Sequence, residues 1–167
     1  MRQVGLILVR LFVMIVGYGT AALVASFFLH FVAWPAIGMD FEEAPWELMG
    51  GLFFSIPLIG LFIATAAFFP ALVLLAIAEY FRIRNWLFYA LAGGGCALGA
   101  HAILWSGMSA FQAIDFGDGS PSDRLLLMEP ELLLYGVVAG MVGAIAYWLL
   151  AGRGAGSWSD DRLSGTD

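Results

Sequence analysis

Charged residues divide this chain into four long apolar blocks. No Asp, Glu, Lys or Arg occurs between Arg10 and Asp40, between Glu47 and Glu79, between Arg84 and Asp115, or between Glu131 and Arg153. A bilayer core of about 30 Å needs roughly 20 helical residues rising about 1.5 Å each, so each block can cross once. The pattern predicts spans over approximately residues 8–31, 52–80, 85–107 and 130–151.

Local signals place the ends. Asn85 can cap the third helix, and Pro45 and Pro130 stand where the second and fourth open. The second block exceeds a perpendicular span, so either its helix tilts or Ser55 and Pro57 restart it after two interfacial turns. Pro70 predicts a kink, because its ring displaces the carbonyl of Ala66. Glu79, Arg82 and Arg84 occupy a turn so short that helices two and three must be antiparallel neighbours. Gly117, Gly119, Ser120 and Pro121 mark turns in a long loop from Ser106 to Glu129. The first block continues well past the h-region of a signal peptide, which predicts an uncleaved anchor. The fold class is therefore an all-α integral membrane protein. It is expected to be a four-helix up-down-up-down transmembrane bundle over residues 1–152, with a disordered Gly- and Ser-rich tail over 153–167.

Composition agrees. At 167 residues, 62% apolar and 12% charged, the chain has too little polar residue to clothe a water-facing surface. Cys96 is its single cysteine, which excludes an internal disulfide and a thiolate metal cage. All seven basic residues are Arg, which with abundant Ala and Gly points to a GC-rich bacterial genome and the bacterial cytoplasmic (inner) membrane.

The net charge of -6 has to be read side by side. Arg2, Arg10, Arg82, Arg84, Arg153 and Arg162 flank one side, while Arg124 stands alone on the other among the carboxylates of 40–47 and 115–131. The positive-inside rule then makes both termini cytoplasmic. Arg10, Glu79, Arg82 and Arg84 become inner-interface charges, with Arg10 at the depth of Glu79 and able to pair with it.

Small residues recur at helical spacing. Ala90, Gly94, Ala97 and His101 share one face of the third helix, and Gly95 and Gly99 form a second small-xxx-small pair. Gly19, Ala22, Ser26 and His30 share a face of the first, and Gly136, Gly140 and Ala144 stripe the fourth. Gly94, Gly95, Gly99, Gly136 and Gly140 are accordingly expected at helix contacts.

The two halves also resemble each other. His30 to Trp34 matches His101 to Trp105, Asp40-Phe41 matches Asp115-Phe116, and Arg10 and Arg84 open helices one and three. This reads as a 2+2 parallel internal repeat about an axis along the membrane normal. His30 and His101, the only histidines, then share one depth on diagonal helices, an arrangement suited to bis-imidazole ligation of one b-type haem. The blander reading makes them polar residues beside the aromatic belt. Zinc lacks a further ligand nearby, and Asp115, Asp118 and Asp123 miss the alternating spacing of a calcium loop, so no metal site is expected.

There is no Walker loop, dinucleotide fingerprint, HExxH or nucleophile with a base beside it, so an enzyme is not expected. The leading expectation is an accessory or structural subunit, or an interaction protein, of a membrane complex. Its partners would be the lipid bilayer and another membrane protein or a second copy, and no nucleic acid. A small-solute carrier or channel is the alternative, against which stands the lack of charge in mid-membrane. A bis-histidine haem electron carrier comes third, and no cofactor is expected otherwise.

Overall fold

The computed structural model of the protein describes residues 2–36, 45–113 and 130–156. They form α1 (Arg2–Ala36), α2 (Pro45–Tyr80), α3 (Trp86–Ala113) and α4 (Pro130–Leu150), followed by a 3-10 turn at Gly152–Gly154. All four α-helices are long and apolar enough to span a membrane, and no strand occurs among the described residues. The acidic loop at 37–44, the loop at 114–129 and the tail from 157 lie outside the described residues.

α2 is one continuous helix of 36 residues that passes through Ser55, Pro57 and Pro70, so the restart at Ser55–Pro57 does not occur. Helix α1 is fastened to α2 beside Pro57, where the buried Ser26 hydroxyl donates to the Ile56 carbonyl at 2.8 Å. α1 and α3 overrun their expected ends, α1 starting at Arg2 and α3 continuing to Ala113.

The turn between α2 and α3 closes α2 as a Schellman cap. Ile83 N–H donates to the Ala78 carbonyl at 2.9 Å and Arg82 N–H to that of Glu79 at 3.3 Å, with Arg82 left-handed at φ 55°. Ile83 packs back on Ala78, the apolar contact that accompanies this motif. Asn85 then caps α3, its Oδ1 accepting from Leu87 N–H at 2.9 Å.

α4 packs most extensively, on both α3 and α1; α1 also packs on α2, and α2 touches α3 least. Gly17 faces Tyr147 and Ala151, while Gly143 lies against Ala21 and Ala25. On the other side of α4, Gly93 faces Gly140 and Ala144, and Gly94 faces Val137 and Met141. Along each contact, rising residue numbers on one helix meet falling numbers on the other. The Gly93–Gly140 contact is backbone on backbone: a Cβ on either would fall on the carbonyl oxygen of the other. At Gly143 an added Cβ would lie 2.6 Å from the Ala21 carbonyl oxygen. Without a hydrophobic force between helices in lipid, such close approach is how they gain dispersion contact.

The core is consequently thin and built largely of alanine, with Tyr89 and Tyr147 its large members. Leu, Ile, Val and Phe side chains such as Phe12, Phe53, Leu72 and Leu91 point outward, as suits lipid.

Candidate functional site: a charged latch and an apolar cavity

The charged end of the bundle is locked by residues of α1, α2, the α2–α3 turn and the C-terminal end of α4. Arg10 of α1 forms an ion pair with Glu79 of α2, donating from Nε at 2.9 Å and from a terminal nitrogen as well. Its other terminal nitrogen donates to the Ala151 carbonyl at 2.8 Å, where α4 ends. The second oxygen of Glu79 accepts the Gly156 N–H at 2.8 Å. The paired side chains are only 12% and 16% exposed, so neither charge can be abandoned cheaply.

Arg84 adds a bond from Nε to the Ala155 carbonyl at 3.0 Å, and Trp148 Nε1–H donates to the Arg84 carbonyl at 2.8 Å. Arg153 lies 4.6 Å above the Trp148 ring, within cation–π range. These bonds hold residues 153–156, which the sequence assigns to a disordered tail, in a docked turn. Ala155 is fully buried, and Gly156 has φ 71° with the Arg82 stem packed against it. A compositional reading of the tail misses this, because the partners sit 71 and 77 positions away.

Beyond the latch, residues of all four helices line a partly open cavity of about 260 Å³. Small residues on each helix make room for it: Ala22 and Ala25, Ala67 and Ala71, Gly93 and Ala97, and Gly136 and Ala139. On α3 the lining runs from Phe88 to His101, about 20 Å along the axis, so the space is elongated. No Arg, Lys, Asp or Glu lines it among the described residues. Such a space repels water and favours hydrocarbon.

Three tyrosines line this cavity, and two are satisfied. Tyr18 donates to the Ala64 carbonyl at 2.6 Å and Tyr89 to that of Ile83 at 3.1 Å. Tyr147 is 4% exposed and packs on Tyr89, with ring centroids 5.7 Å apart, yet its hydroxyl meets no hydrogen-bond partner among the described residues. Such a hydroxyl costs about 1–3 kcal/mol.

The two histidines occupy different settings. His101 lines the cavity, whereas His30 sits in the α1–α2 contact and is not part of that lining. Nδ1 of His30 is 2.7 Å from the Ser26 carbonyl oxygen, which can only accept, so that nitrogen carries the proton. Nε2 then accepts from the Ser55 hydroxyl at 2.9 Å. His30 Nε2 thus faces Ser55 on α2 while His101 faces the cavity, so the two imidazoles do not share a site and the residues present do not fit a bis-histidine haem. No group of three or more His, Cys, Asp or Glu side chains suited to a metal occurs among the described residues.

Of the glycines singled out from sequence, Gly94 and Gly140 lie in helix contacts, while a Cβ at Gly95, Gly99 or Gly136 would meet nothing within 4 Å. The tightest approaches involve Gly93, Gly140 and Gly143, and sequence reasoning missed Gly93 and Gly143. Their signal was present: Gly93 and Ala97, and Ala139 and Gly143, are small pairs at i, i+4. Tyr147 carried no such signal. Comparisons with protein families, curated proteins and solved structures find no match to this chain.

Proposed function

We propose that this protein is a non-catalytic, multi-pass protein of the bacterial inner membrane that serves as an accessory subunit, engaging another membrane protein or a second copy of itself. The observation behind this reading is the outward face of α3. Leu91 is 62% exposed, and a Cβ on the exposed Gly95 one turn further on would meet nothing within 4 Å among the described residues. A lipid-facing position gains nothing from glycine, whereas a helix docking on this face gains close backbone approach. The carrier reading has less support, since an ion path would call for an ionisable carboxylate, Lys or Arg at the cavity wall.

Topologically we infer an up-down-up-down bundle with both termini cytoplasmic and the latch at the inner face. The inference rests on the arginine distribution and on the opposed residue numbering across each helix contact. The parallel 2+2 repeat belongs to the same reading, supported by the matching His-to-Trp segments at 30–34 and 101–105.

The test is the mass of the complex extracted from its own membrane in a mild detergent. A fixed stoichiometric assembly larger than one chain is expected, and a monomer at every detergent concentration tried would refute the subunit reading. Reporter fusions check the orientation: cytoplasmic activity after Ala151 and in the Arg82 turn, external activity within 114–129.

A further inference from the structure

We propose that the four-helix cavity is a binding site for a neutral, chain-like lipid carrying one uncharged oxygen, such as a long-chain alcohol or ketone, whose oxygen hydrogen-bonds to the Tyr147 hydroxyl. The inference stands apart from the subunit reading and does not depend on a partner.

Shape selects a chain. At about 260 Å³ the cavity is well above the ~150 Å³ that accommodates one benzene, and its lining extends some 20 Å along α3. Electrostatics select neutrality. The charges nearest the floor, Arg10 and Glu79, are paired with each other and tied to Ala151 and Gly156, and neither lines the cavity. A carboxylate or ammonium headgroup seated at Tyr147 would therefore meet no counter-charge, since His101 lines the far end of the cavity, about 18 Å along α3 from Tyr89.

The oxygen follows from Tyr147. Tyr18 and Tyr89 border the same cavity and donate to backbone carbonyls, while Tyr147, equally able to donate, has no partner among the described residues and is 4% exposed. Buried hydroxyls are ordinarily satisfied, and a guest oxygen seated at the cavity floor supplies what the chain does not. Access follows from packing. The α2–α3 contact is the least extensive between neighbouring helices, and α2 presents Ala64, Ala67 and Ala71 to the cavity, so a chain enters sideways from the bilayer.

The test uses the full-length protein in lipid nanodiscs with two photoreactive probes, diazirine-bearing hexadecanol and the matching diazirine-bearing hexadecane. The alcohol is expected to label cavity-lining peptides of α2 and α4 about tenfold more efficiently than the alkane, the gain of one hydrogen bond. Tyr147→Phe, which deletes only a hydroxyl with no partner among the described residues, should reduce the alcohol to the level of the alkane. Ala67→Leu, which narrows the cavity, should suppress labelling by both. Equal labelling of the wild type by the two probes, an undiminished preference in Tyr147→Phe, or unchanged labelling in Ala67→Leu would each overturn the proposal.

Discussion

Gly93 and Gly140 meet across the α3–α4 contact with nothing between their backbones, each occupying the place where a methyl group on the other would have to stand. The carbonyl of each approaches the Cα of the other, the geometry of weak Cα–H···O bonds between membrane helices. This contact, with Gly143 against Ala21 on the opposite side, makes α4 the helix that joins α1 to α3.

Gly140→Leu should therefore destabilise the bundle by about 3 kcal/mol, since overpacking forces backbones apart. Gly95→Ala and Gly136→Ala, where a methyl meets nothing within 4 Å among the described residues, should be neutral or gain up to about 1 kcal/mol of helix propensity. Thermal unfolding in detergent distinguishes them, each kcal/mol moving Tm by roughly 2–4 °C.

Glu79→Gln should cost about 3 kcal/mol, because it strands the Arg10 guanidinium in a site where both side chains are mostly buried. Replacing both, as Arg10→Met with Glu79→Met, should recover much of that loss, since no uncompensated charge remains. A double-mutant cycle on unfolding free energies reads the coupling directly, and purely additive costs would mean that the pair does not act as a unit.

Tyrosine-to-phenylalanine changes should separate by partner. Tyr18→Phe and Tyr89→Phe each remove a donated bond and should cost about 1 kcal/mol. Tyr147→Phe removes a hydroxyl with no partner in the described chain, so delipidated protein should be unaffected or more stable. A loss at Tyr147 as large as at Tyr18 would show that its hydroxyl is satisfied.

The four helices were legible because a charge-free block of that length has few alternatives in water or lipid. Asn85 as a cap and Arg10 as the partner of Glu79 were legible too, since capping is local and the shared depth of the two charges follows from their positions at the ends of the apolar blocks. What escaped depended on rotation of one helix about its axis. Each helix is apolar all round, so periodicity says little about which face turns inward, and Gly94 was distinguished while its neighbour Gly93 was not. The same ambiguity put His30 and His101 on one imagined axis, whereas His30 turns towards Ser55 on α2 and His101 towards the cavity. The docking of residues 153–156 was invisible for another reason, because the groups that hold them are distant in sequence and act on backbone atoms.

The subunit reading is tested most directly by site-specific photocrosslinking in native membranes, with a photoreactive amino acid placed in turn at Leu91 on the outward face of α3 and at Leu72 on α2. Both side chains are similarly exposed, at 62% and 55%, and neither lines the cavity. A docking face predicts a discrete protein adduct from Leu91 and only lipid adducts from Leu72. Lipid adducts alone from both positions would contradict it.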